Sequence, residues 1–198
     1  LGLTLPVPLT GEAHDRMLTT YMPAWEDYSP LDEIKKRIKL DLPVYIENDA
    51  NCGAVAEMYW GAGKNCSNLA FLKLGVGVGC GLVIRDELYK GFRGSAGEIG
   101  HTTIIPDGRI CRCGNAGCME SYVGINGVLQ DAIRGYEAAN RSSGGQQLGI
   151  DQVIERAISG DEICQQVIAN TGNYLGISIA NLLNLVNPAV VVLSGKLV

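Results

Sequence analysis

GEIGHTTIIPDGRICRCGNAGCME, residues 97–120, holds the most distinctive group of reactive side chains in the chain. A single histidine, His101, precedes three cysteines, Cys111, Cys113 and Cys118. One imidazole and three thiolates make a complete ligand set for tetrahedral zinc, which favours sulfur and nitrogen donors. Because four protein ligands leave no open coordination position, the pattern predicts a structural zinc ion rather than a catalytic one.

The residues between these ligands suit a tight metal-binding loop. The sequence PDG at residues 106–108 is a turn signal that would bring His101 back towards the cysteines. Gly114 and Gly117 permit the tight backbone that a Cys-x-Cys-x4-Cys loop requires. One alternative is a cluster of reduced or disulfide-bonded cysteines, although a Cys-x-Cys disulfide would be strained. Another is a nucleic-acid-binding zinc finger, but the stretch is not basic and lacks the paired spacing of that motif.

The composition describes a globular chain. Its 198 residues are 46% hydrophobic and 19% charged, which is enough for a buried core in one or two domains. The formal net charge of −5 argues against binding of a phosphate backbone by this chain itself. No apolar stretch approaches the ~20 residues of a membrane span, so we expect no membrane association.

The cysteines and the chain ends indicate the setting of the protein. Seven cysteines together with a predicted zinc site fit a reducing cytoplasm. The chain begins at Leu1 and stops at Val198 after an apolar run, so we expect a piece of a larger protein. Four cysteines outside the zinc pattern are predicted to be buried small hydrophobic residues: Cys52, Cys66, Cys80 and Cys164.

Predicted strands and helices alternate along the chain, which is typical of the α/β class. Ser29 is predicted to cap a helix, because a proline and an acidic residue follow in its first turn. Residues 10–28 show no period and are predicted to be irregular. Predicted strands lie within residues 1–9, 43–47, 69–74, 82–84 and 189–193. Predicted helices lie at 31–38, 50–60, 121–137 and 151–158, and a last helix is predicted to be capped at residues 160–161 and to run to about residue 186.

Asn48 and Asp49 stand where a predicted strand ends and a helix begins, a common place for ligand-binding groups in α/β folds. An aspartate there could take a proton from a hydroxyl, and the asparagine could hold neighbouring hydroxyls. The alternative is that Asp49 only caps the helix.

Two glutamates, Glu98 and Glu120, flank the predicted zinc ligands. Turned inwards, their carboxylates could accept hydrogen bonds from sugar hydroxyls. The alternative is that both are solvated surface carboxylates, which is the usual state of a single glutamate.

Residues 75–81 read GVGVGCG and follow a predicted strand. Glycines at every second position allow backbone amides to approach a phosphate closely. The spacing matches neither a P-loop nor a dinucleotide-binding motif, and alternating glycines can also mark a tight hairpin.

Four motifs together resemble the ROK family (repressor, open reading frame, kinase) of sugar kinases and sugar-responsive transcriptional regulators. They are ENDAN at residues 47–51, LGVGVGCGLVI at 74–84, GEIGH at 97–101 and CRCGNAGCME at 111–120. The resemblance runs over residues 41–198. It implies an actin-like, hexokinase-type fold of two lobes, of which this chain is a fragment.

The resemblance also implies a division of the chain. Residues 1–47 would be the remainder of the N-terminal lobe, and residues 48–198 would be the C-terminal lobe with its zinc knuckle. The start of the N-terminal lobe and any DNA-binding segment would be missing.

Site roles carry over from the family residue by residue. Asp49 would be the base that deprotonates the sugar hydroxyl, and four residues would hydrogen-bond the sugar. His101 would serve both the zinc and the sugar, with one ring nitrogen for each. The sugar-binding residues would be Asn48, Glu98, His101 and Glu120, and the nucleotide-binding residues Gly75, Gly77, Gly79 and Gly195.

Several departures from the kinases of the family decide which function we expect. An Asp-x-Gly-Gly-Thr phosphate loop is absent from the sequence, and Val76 stands where the kinases tend to carry a threonine. We therefore expect the sugar-binding effector domain of a homo-oligomeric ROK transcriptional regulator that contacts DNA through a segment outside this chain. The alternative is an ATP- and Mg²⁺-dependent hexose or N-acetylhexosamine kinase, so whether the protein is an enzyme is left open.

Overall fold

The computed structural model describes residues 1–10, 16–17, 29–38, 42–143 and 148–198. Strands and helices alternate along these residues, which confirms the predicted α/β class. The strands are β1 (Gly2–Leu5), β2 (Leu9–Thr10), β3 (Arg16–Met17), β4 (Tyr45–Asn48), β5 (Asn68–Leu74), β6 (Val78–Ile84), β7 (Glu87–Leu88) and β8 (Val190–Gly195). The helices are α1 (Pro30–Arg37), α2 (Asp49–Trp60), α3 (Glu120–Val123), α4 (Ile125–Ala138), α5 (Ile150–Ile158) and α6 (Glu162–Val186), with a 3-10 turn at Ile99–His101.

Within the described residues the strands form three sheets. β1 and β4 pair in parallel, β2 and β3 pair antiparallel, and the largest sheet has the order β7-β6-β5-β8. A tight turn joins β6 to β7: Arg85 and Asp86 have φ angles of +56° and +64°. These left-handed values belong to a two-residue hairpin turn whose twist matches that of the strands.

The described residues group into two compact units. Unit 1 comprises Leu1–Lys73, Gly79–Glu98 and Pro188–Leu193. Unit 2 comprises Leu74–Val78, Ile99–Asn187 and Ser194–Val198. The predicted lobes, residues 1–47 and 48–198, were drawn from the family resemblance, and that division stays a prediction.

In unit 1, α2 begins directly where β4 ends and packs on a small apolar core. The helix and β6 approach closely, because a Cβ atom added at Gly81 would meet the carbonyl oxygen of Ala50 at 2.3 Å. The buried members of this core are Ala54, Leu69, Phe71 and Val83.

Unit 2 is built mainly from α3 to α6. The longest helix, α6, contacts the other three. Asp161 caps it by accepting hydrogen bonds from the amides of Ile163 and Cys164, both at 3.1 Å. Asn187 ends it with a left-handed φ of +49°. The buried core of the unit comprises Val128, Ala132, Tyr136, Leu148, Ile150, Val153, Cys164 and Val167.

The glycine-rich stretch differs from the prediction. β6 begins at Val78 rather than at Leu82, so Gly79 and Gly81 lie within a strand. The turn itself is closed by a hydrogen bond from the Gly75 amide to the Gly77 carbonyl at 3.0 Å. Residues 74–78 therefore form a tight hairpin, called the glycine hairpin below. Glycines inside a strand often mark close approach of another element, here α2, rather than a loop.

Two helix predictions are corrected. The residue that caps α2 is Asn48, so Asp49 is the first helical residue and not the cap. The helix predicted over residues 121–137 is two helices, α3 and α4, separated at Gly124. A Cβ atom at Gly124 would lie 2.9 Å from the Val76 carbonyl oxygen, so the chain bends where it passes the glycine hairpin.

Two further predictions are only partly correct. Cys80 and Cys164 are buried as predicted. Cys52, in the first turn of α2, and Cys66, in the loop between α2 and β5, are partly exposed. Within residues 10–28, the short strand β3 pairs with β2, and the other predicted irregular residues between 11 and 28 lie outside the described residues. Among the described residues, no helix has the length and apolar character needed to cross a membrane.

Candidate functional site

The four predicted metal ligands lie together in unit 2. The donor atoms of His101, Cys111, Cys113 and Cys118 are all within 4.8 Å of one another. His101 Nδ1 lies 3.5 Å from Cys111 Sγ, and the sulfur atoms of Cys113 and Cys118 lie 3.7 Å apart. Tetrahedral zinc bonds of about 2.0–2.3 Å place neighbouring donors roughly 3.5–3.8 Å apart. The four donors therefore fit a single metal ion.

Backbone hydrogen bonds shape the loop that carries these ligands, residues 99–119, called the metal loop below. The Gly108 amide bonds to the Ile105 carbonyl at 3.1 Å, which closes the predicted turn. Gly117 has a φ of +75°, and a Cβ atom there would meet the Ile105 carbonyl oxygen at 1.7 Å. The loop therefore requires glycine at this position, as the sequence predicted.

The crowding of these side chains shifts their pKa values. Burial raises the pKa of Cys118 to about 12, and the neighbouring thiols add to the shift. Burial acts in the same direction on Cys113, but hydrogen bonds involving the Asn115 backbone and the two other thiols outweigh it and lower that pKa. Burial lowers the pKa of His101, which favours the neutral imidazole that binds metals. A bound cation would stabilise such closely spaced thiols as thiolates.

Glu120 is the first residue of α3 and is buried, with 8% of its surface exposed. Its Oε1 accepts a hydrogen bond from Arg112 Nε at 2.8 Å. Its Oε2 accepts from Arg112 Nη2 at 3.0 Å and from the Val78 amide at 2.9 Å. The alternative of a solvated surface carboxylate is therefore wrong for Glu120.

Arg112 is a candidate that the sequence reasoning missed. It lies between two predicted metal ligands, Cys111 and Cys113, and pairs with Glu120. Together with Glu120 it lines a cavity of about 220 Å³ in unit 2. The signal that could have found it is a single charged residue enclosed by two thiols. Other residues lining the cavity are Val76, Arg109, Ser121, Asn126 and Gln130.

Arg109 anchors the metal loop to the helices of unit 2. Its Nη1 donates to the Ser121 carbonyl at 3.0 Å, and its Nη2 pairs with the Asp131 carboxylate. The guanidinium also lies over the Tyr122 ring, 4.5 Å from its centroid. These contacts hold the middle of the metal loop independently of any metal.

In unit 1, Asn48 connects the end of β4 to the start of α2. Its Oδ1 accepts hydrogen bonds from the amides of Ala50 and Asn51, at 2.9 and 3.1 Å. Its Nδ2 donates to the Val7 carbonyl at 3.1 Å. Asn48 thus has a structural role beside its predicted sugar contact, which stays a prediction.

The carboxylate of Asp49 forms an ion pair with Lys73 of β5. The Asp49 side chain is 18% exposed and that of Lys73 is 44% exposed, so solvent reaches both partners. Sequence reasoning missed Lys73. The available signal was a single lysine in the strand Asn68–Leu74, whose other residues after Asn68 are all apolar.

Glu47 holds the strand end on which Asn48 and Asp49 lie. Its Oε1 accepts from the Asn48 amide at 2.9 Å and from Asn51 Nδ2 at 3.0 Å, and its Oε2 pairs with Lys90. Burial alone would raise the pKa of Glu47, but these three interactions together lower it below its ordinary value. Glu47 is a third residue that sequence reasoning did not single out.

Glu98 also belongs to unit 1, close to Cys80. Burial raises the pKa of Cys80 to about 12, and the charge of Glu98 adds to that shift. The preceding Gly97 has a φ of +87°, and a Cβ atom there would meet the Cys80 carbonyl oxygen at 1.9 Å. The backbone before Glu98 is therefore packed tightly against β6.

Gly195, at the end of β8, belongs to unit 2. It has a φ of +131°, and a Cβ atom there would meet the Leu74 carbonyl oxygen at 1.8 Å. The packing alone therefore requires glycine at this position. Its nucleotide-binding role stays a prediction, as do those of Gly75, Gly77 and Gly79.

The predicted site residues divide between the units. Unit 1 holds Asn48, Asp49, Gly79 and Glu98, and unit 2 holds Gly75, Gly77, His101, Glu120 and Gly195 with the cysteine ligands. The structure brings together the four predicted metal ligands in unit 2 and the adjacent Asn48 and Asp49 in unit 1.

The ROK family model matches residues 2–198. The chain therefore belongs to the ROK family, and the resemblance inferred from its motifs is confirmed. Both regulators and kinases occur among its relatives.

Two relatives illustrate this mixture. The xylose repressor of Caldicellulosiruptor bescii is 33% identical over 207 residues, which cover 99% of this chain and 50% of that protein. The glucokinase of Halalkalibacterium halodurans is 36% identical over 182 residues, which cover 86% of this chain and 53% of that protein. The chain thus spans about half the length of the curated relatives it matches.

Solved structures confirm the actin-like ROK fold. A ROK family transcriptional regulator, a homolog of the Escherichia coli MLC protein, matches with a TM-score of 0.83 and 30% identity, covering 98% of this chain and 49% of that chain. The ROK family glucokinase of Streptomyces griseus in complex with glucose and AMPPNP matches with a TM-score of 0.78 and 28% identity. That match covers 86% of this chain and 57% of the glucokinase.

Proposed function

We propose that this chain is the sugar-binding, kinase-like effector domain of a ROK-family transcriptional regulator. The observation that carries the proposal is the ion pair between Lys73 and Asp49. A catalytic base needs a carboxylate oxygen that the substrate hydroxyl can reach. The Lys73 ammonium already donates to Asp49 Oδ2, so it competes with a sugar hydroxyl for that atom.

The tip of the glycine hairpin supports the same proposal. Val76 lies there with 57% of its surface exposed. Its side chain has no donor for a phosphate oxygen, whereas the threonine that family kinases tend to carry at this position has one. A chain selected to bind a sugar without transferring phosphate does not need that donor.

Sugar binding would use the polar side chains that the family resemblance assigns to it. Asn48 and Glu98 would hydrogen-bond sugar hydroxyls, since amides and carboxylates supply the required acceptors and donors. Glu120 would accept a hydroxyl bond. His101 would use Nε2 for the sugar, because Nδ1 is the ring nitrogen that lies beside Cys111 Sγ. The sugar class would be a hexose or an N-acetylhexosamine.

Zinc is the metal that we propose for the His101 and cysteine cluster. Three sulfur donors and one nitrogen donor at tetrahedral spacing are the ligand set of a closed structural zinc site. A reducing cytoplasm would keep the three thiols available to the metal. The whole regulator would be a homo-oligomer and would contact DNA through a segment outside this chain.

The alternative function is an ATP-dependent hexose or N-acetylhexosamine kinase. It is favoured by the Asn48–Asp49 pair, since binding alone does not require a base, and by the similarity to a glucokinase. Asp49 would then take the proton from the sugar hydroxyl, and ATP with Mg²⁺ would supply the phosphoryl group.

An ADP-release assay with a panel of hexoses and N-acetylhexosamines, run beside a thermal-shift assay, tests the proposal. We expect one sugar to raise the melting temperature, because a ligand at 100 times its Kd stabilises the folded state by about 2.7 kcal/mol. We expect no sugar-dependent ADP release.

Two variants sharpen this test. Asp49→Asn should leave the absence of turnover unchanged, and Lys73→Met should retain the thermal shift. Sugar-dependent turnover at roughly 1–100 per second in the wild type, lost in Asp49→Asn, would overturn the regulator and establish the kinase.

A further inference from the structure

We propose that Arg112 is a positioning residue that couples the metal loop to Glu120 and to the glycine hairpin. The inference rests on the proposed sugar-binding function, in which Glu120 contacts the sugar. Arg112 would contact neither the reacting atoms nor the metal. It would act by fixing the carboxylate that does contact the sugar.

The position of Arg112 links it to the metal site. It is the single residue between Cys111 and Cys113, whose sulfur atoms belong to the four-donor cluster. A metal bound by both thiols would restrain the backbone on either side of Arg112. The two guanidinium hydrogen bonds to Glu120, at 2.8 and 3.0 Å, would carry that restraint to the carboxylate.

The glycine hairpin is the third member of this arrangement. The Val78 amide donates to Glu120 Oε2 at 2.9 Å. A Cβ atom added at Gly77 would lie 2.9 Å from Arg112 Nη2 and 3.1 Å from Glu120 Oε2. The turn of the hairpin therefore lies directly against the ion pair, and a shift of Arg112 would reach both Glu120 and Val78.

The hydrogen bonds to Glu120 also limit what a ligand can do there. A carboxylate offers about four acceptor positions, and Arg112 and Val78 use three of them. About one position remains for a sugar hydroxyl. Removing the Arg112 guanidinium would leave a buried carboxylate that lacks two of its donors, free to turn away from the sugar and from Val78.

The test uses three variants. Arg112→Met removes the guanidinium but keeps an unbranched apolar side chain, and Arg112→Lys keeps the charge but loses the paired donors. Arg134→Met, on the exposed side of α4, is the matched control. Zinc content, affinity for the sugar that stabilises the wild type, and hydrogen exchange of the Val78 amide by NMR are measured for each.

We expect Arg112→Met to retain zinc and to bind the sugar about 10- to 100-fold more weakly, the effect of losing hydrogen bonds to a charged group. The Val78 amide should exchange faster in this variant. Removal of zinc from the wild type by a chelator should have the same effect on Val78. Arg112→Lys should lie between, and Arg134→Met should match the wild type.

Zinc-loaded Arg112→Met with wild-type sugar affinity and wild-type exchange at Val78 would overturn the proposal. So would wild-type protein that holds no zinc, or chelation that leaves Val78 exchange unchanged. If Arg112→Met does not fold, sugar affinity and Val78 exchange in Arg112→Lys and in the chelated wild type test the proposal instead. If the wild type binds no sugar, the proposed function fails, while Val78 exchange still decides whether Arg112 couples the metal loop to the hairpin.

Discussion

The metal loop of unit 2 and the strand-to-helix turn of unit 1, where β4 ends at Asn48 and α2 begins at Asp49, hold their candidate functional side chains by different means. In the turn, regular elements flank Asn48 on both sides, and its side chain makes hydrogen bonds to three backbone groups. In the metal loop, regular structure between His101 and Cys118 is limited to two isolated bridges, Thr103–Cys118 and Ile110–Ala116. The turn is held by protein groups alone, whereas the loop gathers four predicted metal ligands around one point.

This difference indicates where each region is vulnerable. A network of several hydrogen bonds loses a part of its stabilisation with each substitution. A metal site loses all of its bonds when a ligand is removed and the metal leaves. We therefore expect large, all-or-none effects in the metal loop and small, graded effects in the turn.

Cys111→Ser should have the largest effect. Loss of this buried thiol should release the metal and lower the free energy of unfolding by about 4 kcal/mol or more, in the range of other lost metal sites. Elemental analysis for zinc and thermal unfolding with and without a chelator measure this. Cys66→Ser, at a partly exposed cysteine of unit 1, is the control. Equal free energies of unfolding of the chelated and the untreated wild type would show that the metal loop is stable without a metal.

Gly117→Ala should come next, with Gly114→Ala as its matched partner in the same loop. Both glycines have positive φ, +75° and +89°, so both substitutions carry a backbone cost of about 1–2 kcal/mol. At Gly117 the added Cβ also meets the Ile105 carbonyl oxygen, which should bring the total to about 3 kcal/mol. At Gly114 it meets nothing within 4 Å. Chemical denaturation of both variants measures the difference, and equal losses would contradict it.

Asn48→Ala should have an intermediate effect. It removes the cap of α2 and the bond to Val7, which should cost about 1–2 kcal/mol. Asn48→Asp keeps the capping oxygen but cannot donate to the Val7 carbonyl, so it should recover only the capping part of that loss. Urea denaturation compares the two variants. A loss as large as that of Cys111→Ser would show that the turn is as cooperative as the metal site.

The pH dependence contributed by Glu47 should be the smallest effect. Its folded-state pKa is lowered, so its stabilisation is complete above its ordinary pKa of about 4.3 and is lost as the pH falls through the folded value. At pH 7 the free energy of unfolding of the wild type should exceed that of Glu47→Gln by at most about 1 kcal/mol, because both partners of the Glu47–Lys90 pair are partly exposed. The urea midpoints of the wild type and of Glu47→Gln should converge as the pH falls from 7 to 3. A gap that persists at pH 3 would mean that packing, not charge, stabilises Glu47.

The parts of the fold and site that sequence could predict depend on local spacing. The caps of α1 and α6, at Ser29 and Asp161, follow from short-range patterns, and the structure confirms both. The clustering of His101 and the three cysteines followed from residue type and spacing in the same way, and their role as metal ligands stays a prediction. The start of β6 was predicted four residues late, because Gly79 and Gly81 look like loop residues until α2 is known to lie against them.

Contacts between distant residues lay beyond sequence reasoning. Lys73 meets Asp49 across 24 positions, and Val78 meets Glu120 across 42. No local pattern links the two members of either pair: the single lysine of β5 marks Lys73 as unusual, but its sequence neighbours do not indicate Asp49 as its partner. The sequence around Glu120 is equally compatible with a solvated carboxylate, because the contacts that bury it come from other segments, and only the structure shows its burial.

The sequence by itself determined the ROK family, the α/β class and the four residues that gather into a candidate metal site, because these depend on motifs whose chemistry lies in neighbouring residues. The tertiary structure alone decided that Lys73 forms an ion pair with Asp49, the predicted base, and that Arg112 forms an ion pair with Glu120. The physical reason is that hydrogen bonds and ion pairs depend on distances of a few ångströms. Such distances between remote segments exist only after the chain has folded.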